Sequence, residues 1–217
     1  MKDPITHYWN LRIEALRGAL EKNNFEVHLA PQPEDAARIV INTILPEIKP
    51  ASMSWGGSRT FVECGLYRQL KDMDAIKVID TYDPSISDDE KGERRRQALL
   101  ADLFFTSTNA VTESGHLVNL DMIGNRIAAL TFGPKFVVVL VGRNKIVPDL
   151  ENAWDRIKNY AAPVNTMRLG KKTPCQTTGF CQDCKSPDRI CNTWTITEKA
   201  FPPKRVKIIL INADLGF

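Results

Sequence analysis

The chain has 217 residues, of which 43% are hydrophobic and 25% charged, a composition typical of a globular protein with its own core. A formal net charge of +3 is too small to indicate nucleic acid or an anionic membrane as a partner. No apolar run reaches the roughly 20 residues of a membrane span, and residues 1–7 are not followed by the apolar run of a signal peptide. We therefore predict a cytoplasmic protein.

Hydrophobic periodicity predicts helices alternating with strands along the chain. Helical spacing of apolar residues indicates helices over about 9–20, 33–48 and 150–161, and the charged residues 87–99 are predicted to form a surface helix. Pro46 is expected to end or kink the second helix, and residues 93–96 of the third to form a solvated face. Strands are predicted over 25–29, 51–55, 77–80, 103–106, 136–141 and 206–211.

The order of these elements predicts an open α/β fold. The continuous apolar runs at 103–106 and 136–141 suit strands that are covered on both faces, as in a mostly parallel sheet flanked by helices. The composition shifts after Pro163, since residues 167–207 carry nine Lys or Arg against three Asp or Glu. We predict one domain over 1–217, with a cysteine-containing loop at about 167–205 inserted before the last strand.

The first candidate site is a glycine-rich turn between the second strand and a helix. Bare backbone N–H groups of such a turn approach an anion closely, and hydroxyl and guanidinium groups add donors. In open α/β sheets, ligands bind at the carboxyl ends of strands, where this turn should lie. The alternative is a tight turn that simply requires glycine. The candidate ligand-binding residues are Gly56, Gly57, Ser58, Arg59 and Thr60.

A polar segment at 106–115 follows the strand at 103–106, so it too is predicted at a carboxyl end. It contains Asn109, a candidate ligand-binding residue, and Glu113, which has no obvious partner in the local sequence. A carboxylate in a cleft can act as nucleophile or general base. Alternatively, the hydroxyls of this segment satisfy its own backbone turns.

The third candidate site is the segment 142–147, directly after the predicted strand 136–141. Lys145 would reach a phosphate or carboxylate near the glycine-rich turn if the two strands share an edge of the sheet. Asn125, beside Gly124 and Arg126, is a further candidate. The alternative is that Lys145 is solvated, so this prediction depends on the strand order.

Four cysteines lie close together in sequence, at Cys175, Cys181, Cys184 and Cys191. In a reducing compartment such clustering indicates metal or redox chemistry rather than disulfides. The four are candidate ligands for zinc or an iron–sulfur cluster, although their spacing matches neither standard pattern. Reduced thiols in a loop, or a redox pair of Cys181 and Cys184, are the alternatives. Cys64 stands apart in an apolar stretch and is predicted to pack in the core.

Several common catalytic motifs are missing from the sequence. The three histidines are scattered, so neither a hydrolase triad nor a His-Glu zinc motif is indicated. There is also no Gly-x-Gly-x-x-Gly fingerprint and no P-loop, which argues against a nicotinamide enzyme and an NTPase.

Several segments together resemble the signature of the LUD (lactate-utilisation) family. The central one is 101–115, which ends in Thr-Asn-Ala-Val-Thr-Glu-Ser-Gly. The cysteine segment and the ending Asn-Ala-Asp-Leu-Gly-Phe are similar to a stand-alone branch described only as lactate utilisation protein. The resemblance covers most of residues 7–160 and also includes segments 56–60, 63–66, 124–126, 132–134 and 141–147.

The resemblance implies a fold like that of ribose-5-phosphate isomerase, glucosamine-6-phosphate deaminase and CoA transferases. Those proteins bind phosphorylated or CoA-linked ligands at the carboxyl edge of the sheet. CoA transferases use a glutamate before a small-residue–glycine turn, and Glu113-Ser114-Gly115 occupies a comparable place. Some LUD proteins carry ferredoxin-type cysteine motifs within an L-lactate oxidation complex, whereas this chain has neither such a module nor a flavin fingerprint.

Three functions follow from these observations. The favoured one is an accessory component of organic-acid (lactate) oxidation, with a metal or iron–sulfur site and protein partners in an oxidation complex. The second is an enzyme for a small phosphorylated or CoA-linked metabolite, with Glu113 as base or nucleophile. The third is a protein that binds the same small anionic metabolite without catalysis. The oligomeric state, the ligand and the metal are left open by the sequence.

Overall fold

The computed structural model describes residues 3–217 of the chain. Its helices are α1 (Pro4–Lys22), α2 (Pro33–Ile39), α3 (Leu45–Ile48), α4 (Arg59–Glu63), α5 (Leu66–Leu70), α6 (Asp88–Gln97), α7 (Asn125–Thr131), α8 (Leu150–Arg156), α9 (Ala162–Arg168) and α10 (Pro174–Thr178). Its strands are β1 (Glu26–Ala30), β2 (Ser52–Trp55), β3 (Lys77–Ile79), β4 (Leu103–Ser107), β5 (Ala110–Thr112), β6 (Leu117–Asp121), β7 (Phe136–Gly142), β8 (Ile146–Val147), β9 (Thr193–Thr197) and β10 (Val206–Ile211).

The main sheet has six strands in the order β1-β10-β7-β4-β2-β3, all parallel. Successive side chains of a strand point to opposite faces. Phe105 and Val138 therefore pack in one core cluster, while their neighbours Phe104 and Val137 pack in another on the opposite face. Helices cover both clusters, so the apolar runs are buried on both sides. The predicted α/β fold with a mostly parallel sheet is confirmed.

A second, smaller sheet has the strand order β8-β5-β6-β9. In it β5 pairs with β6 and β6 with β9 in antiparallel fashion, whereas β5 and β8 are parallel. The sequence analysis did not predict this sheet, because β5 and β8 have only three and two residues, too few to show a period of two. The sheet begins two residues after β4 and therefore redirects the polar segment that follows that strand.

The helices begin where capping chemistry predicts. Asp3 caps α1 by accepting from the backbone N–H groups of its first turn, and Asp149 does the same for α8. Pro46 was expected to end or kink the second helix, yet α3 contains it. A π-helical turn at Val40–Ile44 precedes this proline. Widening of the helix at that turn accommodates a residue that has no N–H to donate.

The cysteine segment at 167–205 is more structured than a loop. It contains α10 and β9, and β9 is the edge strand of the second sheet. The chain then enters β10 between β1 and β7, which confirms the predicted final strand. Within residues 3–217, no helix combines the length and the apolar character that crossing a bilayer requires. The cytoplasmic location stays a prediction.

Candidate anion-binding site

Three loops meet at the carboxyl edge of the main sheet, because β7, β4 and β2 are neighbours in it. Together with the start of α7, α9 and the cysteine segment, they enclose a cavity of about 490 Å³. This volume is within the range of small-molecule sites. Of the predicted ligand-binding residues, those that line the cavity are Gly57, Ser58, Arg59, Asn109, Asn125 and Lys145. Gly56 and Thr60 lie directly behind the lining.

Positive charge dominates the wall of the cavity. The charged residues that line it are Arg59, Arg95, Arg126, Lys145, Arg168, Lys171, Asp88 and Asp121. Arg126 pairs with Asp121 and Arg59 with Glu63. The other four cations, Arg95, Lys145, Arg168 and Lys171, form no ion pair with any carboxylate of residues 3–217. The cavity therefore holds positive charge that the chain itself does not neutralise.

Lys145 forms part of the cavity floor and is only 3% exposed. It ends the short 3₁₀ turn Arg143–Lys145 after β7, which points its side chain back across the sheet edge. Its Nζ donates to Thr60 Oγ1 at 2.8 Å and to Ser107 Oγ at 2.7 Å. The lysine thus connects the chain at the carboxyl ends of β2, β4 and β7, and it lies beside the glycine-rich turn. That it reaches an anion there stays a prediction.

Burial lowers the pKa of Lys145 from 10.5 to about 7. Desolvation is the main cause, because a charge is costly in an interior of low dielectric. The nearby guanidinium groups of Arg156 and Arg126 lower it further. The lowered pKa therefore favours a neutral amine at this position more than at an exposed lysine.

The side chain of Arg126 uses all five of its N–H donors within the protein. Its Nε donates to Asp121 Oδ2 at 3.0 Å. One terminal nitrogen donates to Asn119 Oδ1 and the carbonyl of Ser107, the other to Asn109 Oδ1 and the carbonyl of Leu120. Arg126 therefore ties β4 to the second sheet and contributes charge to the cavity, but it has no donor left for a ligand.

The glycine-rich turn is fixed by Tyr82. Its hydroxyl donates to the carbonyl of Gly56 at 2.6 Å and accepts from the backbone N–H of Ser58 at 2.9 Å. A Cβ at Gly56 would lie 3.0 Å from the ring of Phe104 and 3.2 Å from Arg126, so the close packing here requires glycine. The N–H of Ser58 is used by the tyrosine, which leaves fewer backbone donors for an anion than the sequence analysis predicted.

Residues 215–217 run across the buried amine. Gly216 has φ +61, in the left-handed region, and a Cβ there would lie 2.7 Å from Thr60 Oγ1 and 3.3 Å from Lys145 Nζ. The backbone N–H of Gly216 donates to Glu63 Oε2 at 2.7 Å, and Thr60 Oγ1 donates to the carbonyl of Leu215 at 3.2 Å. Phe217 itself lines the cavity. This segment shields one side of the lysine from water.

Glu113 lies apart from the cavity. It follows β5 in the turn to β6, so the second sheet carries it away from the carboxyl edge of the main sheet. Its side chain is 52% exposed and forms an ion pair with Arg12 of α1. Asn109, from the same polar segment, remains at the cavity because it precedes β5. The structure therefore brings together the other ligand-binding candidates without Glu113.

The four clustered cysteines and Cys64 are all free thiols. Cys175 is buried, with its sulfur 3.3 Å from the hydroxyl of Thr173, while Cys181, Cys184 and Cys191 are partly exposed. Within residues 3–217, no three His, Cys, Asp or Glu side chains are placed to hold a metal ion. Metal binding by these thiols stays a prediction.

The LUD domain model matches residues 13–211, nearly the whole chain. The chain belongs to the LUD family. Membership supports a role related to lactate utilisation in general terms, without specifying a reaction or a ligand. No curated protein matches this LUD protein in sequence.

A solved structure with a similar fold is that of a DUF162 family protein from Deinococcus radiodurans. Superposition with the LUD protein gives a TM-score of 0.51 at 13% sequence identity, covering 94% of this chain and 98% of that one. At this identity the likeness concerns the fold alone. It supports the α/β architecture on which the cavity is built.

Sequence reasoning missed several residues of the LUD protein's cavity, among them Arg95, Arg168, Lys171 and Tyr82. Arg95 was predicted on a solvated face, but it lines the cavity while Arg96 stays 77% exposed. Adjacent helical residues point about 100° apart, so consecutive arginines cannot share one environment. Arg168 and Tyr82 carried no recognisable signal, since each reaches the site from an element that is distant in sequence. Cys64 packs in the core as predicted, and burial raises its pKa to about 12.

Proposed function

We propose that this LUD protein binds a small anionic metabolite in the cavity, as part of organic-acid (lactate) metabolism. One observation carries the proposal. Three cations of the wall, Arg95, Arg168 and Lys171, have no carboxylate partner among residues 3–217. A carboxylate or phosphate supplies the missing negative charge, and hydrogen bonds to ionised groups are the stronger ones.

The remaining wall indicates what else the ligand carries. The hydroxyl of Ser107 and the amide of Asn125 offer polar contacts, while Leu169 and Ile190 are apolar. A small number of polar groups among apolar ones is typical of sites for organic metabolites. The ligand expected from this lining has an anionic end and a short organic portion.

Isothermal titration calorimetry with L-lactate and with inorganic phosphate tests the proposal. We expect binding that weakens as salt is raised, because salt screens the attraction between charges. Arg95→Gln should weaken it about fivefold, which corresponds to roughly 1 kcal/mol. Arg96→Gln is the matched control, since this neighbour on α6 is 77% exposed and outside the cavity. Equal effects of the two variants would contradict the site.

The two probes distinguish the classes of ligand that the sequence analysis left open. Tighter binding of L-lactate favours a simple organic acid, and tighter binding of phosphate favours a phosphorylated or CoA-linked metabolite. Absence of binding for both probes would overturn the proposal. The former candidate Glu113 has no part in it, because that carboxylate lies outside the cavity.

A second candidate function concerns the cysteine segment. We propose that it holds a metal or an iron–sulfur cluster as an accessory component of an oxidation complex. In support, burial is the main cause that raises the pKa of Cys191, and the charges of Cys181 and Cys175 add to it while Lys158 and Arg189 oppose it. These three thiols are therefore near one another, although they do not form a ligand set as arranged.

Metal analysis and an absorption spectrum of protein purified without oxygen decide the second candidate. Iron with sulfide, or zinc, in stoichiometric amount would support it if the metal is lost from a Cys181→Ser/Cys184→Ser variant. Protein without metal, or with metal that the double variant retains, would contradict it. Copurification of partner subunits that depends on these cysteines would support membership of a complex.

A further inference from the structure

Lys145 differs from an ordinary anion-binding lysine in three respects. Its amine is buried at the floor of the cavity rather than at the rim. It has no carboxylate partner within residues 3–217, and its two hydrogen-bond partners are the hydroxyls of Thr60 and Ser107. The nearby cations Arg156 and Arg126 oppose its protonation, against a smaller opposite effect of the Glu63 carboxylate. A lysine that served only to attract an anion would be better placed where it keeps its charge.

A neutral amine is a nucleophile, and carbonyl compounds are its usual biological targets. We propose that Lys145 forms an imine with a small anionic aldehyde or ketone whose acidic group is held by Arg95, Arg168 and Lys171. The proposal rests on the anion-binding function proposed above and adds the substrate class and the nucleophile. The shared chemistry is a carbonyl group next to a carboxylate or a phosphate.

The reaction balances without any oxidant or metal. The Nζ lone pair attacks the carbonyl carbon, a C–N bond forms, and the carbonyl electrons move to oxygen. The oxygen takes up a proton and the nitrogen loses one, which gives a carbinolamine. The hydroxyl then leaves as water after a second protonation, the nitrogen lone pair forms the C=N bond, and the remaining N–H proton is released or retained as an iminium ion.

The two hydroxyls beside the amine suit these proton transfers. Ser107 Oγ and Thr60 Oγ1 lie 2.7 and 2.8 Å from Nζ. A hydroxyl both donates and accepts, so it can take a proton from nitrogen and return one to the departing oxygen. Ser107 also lines the cavity itself, where the carbonyl oxygen would lie, whereas Thr60 is covered by the segment 215–217. Ser107 is therefore the better placed of the two.

Borohydride trapping tests the proposal. Pyruvate and dihydroxyacetone phosphate serve as separate probes, one with a carboxylate and one with a phosphate. Each is incubated with the protein at pH 7 and reduced with sodium borohydride, which converts an imine to a stable secondary amine. Peptide mapping by mass spectrometry then locates the adduct. A solvent-exposed lysine of ordinary pKa has roughly 1000-fold less neutral amine at pH 7, so we expect one adduct per chain, on Lys145.

Two variants control the trapping. Lys145→Met should lose the adduct, and Lys199→Met should keep it, because Lys199 is exposed and outside the cavity. Mapping on the unaltered protein identifies the modified lysine even if Lys145→Met does not fold. The relative yield with the two probes shows whether a carboxylate or a phosphate is the preferred acidic group.

The outcomes separate the imine from anion binding as such. L-lactate and inorganic phosphate cannot form an imine, so their binding reports on the cavity alone. If either binds but neither carbonyl probe modifies Lys145, the imine proposal is overturned and anion binding stands. An adduct spread over surface lysines also overturns it. If nothing binds and nothing is trapped, both proposals fail together.

Discussion

Replacing Lys145 with methionine removes a titrating group from the interior and should change how stability depends on pH. In the folded protein burial lowers the pKa of this lysine from 10.5 to about 7. Between these values the unfolded chain binds a proton that the folded chain does not, so stability rises with pH. Below pH 7 the lysine is protonated in both the folded and the unfolded state. The free energy of unfolding is then roughly 5 kcal/mol lower than it is above pH 10.5, where both states are neutral.

Urea unfolding of the two proteins at pH 7.5, 8.5 and 9.5 measures this effect, with tryptophan fluorescence as the signal. Other groups titrate alike in both proteins and cancel in the difference. From pH 7.5 to 9.5 the free energy of unfolding should rise by about 2.5 kcal/mol more in the unaltered protein than in Lys145→Met. The exposed control Lys199→Met should follow the unaltered protein. A constant difference would refute the reasoning, since it would mean that Lys145 stays charged in the fold.

Three further predictions follow from the site. Arg126→Met leaves the carboxylate of Asp121 buried without its partner and should cost about 3–5 kcal/mol; a loss below 1 kcal/mol in chemical unfolding would contradict the role assigned to this arginine. Glu113→Gln should leave the affinity for L-lactate unchanged in calorimetry, and a tenfold loss would place this residue at the ligand after all. Gly216→Ala puts a Cβ in a left-handed conformation close to Thr60 and should lower stability by about 1–2 kcal/mol, measured by thermal unfolding.

The main sheet could be predicted from the sequence because its signals are local. The apolar run Phe136–Gly142 is long enough to show that both faces of the strand are buried. In the same way, Asp149 marks the start of α8, which it caps. The rule that ligands bind at the carboxyl ends of parallel strands then placed Lys145 beside the glycine-rich turn. That inference required only that β7 and β2 end at the same edge of the sheet, and they do, with β4 between them.

The second sheet and its consequences could not be predicted in the same way. The two residues of β8 contain no periodic signal, and β9 is brought to β6 by contacts more than 70 residues apart in sequence. If this sheet is not recognised, Asn109 and Glu113 belong to one polar loop. In the structure β5 separates them, so Asn109 lines the cavity and Glu113 lies outside it. The error concerning Arg95 has a related cause, since charge alone does not show which face of a helix meets a cavity.

The cysteine segment also forms part of the cavity wall, through Leu169, Lys171 and Ile190. We therefore expect oxidation of these thiols, or metal binding to them, to change the affinity of the cavity for an anion. The oxidation state of the cysteine thiols must therefore be controlled in every binding experiment on this protein. Two samples of identical sequence, one kept reduced and one exposed to air, should be compared before an affinity is assigned to the cavity.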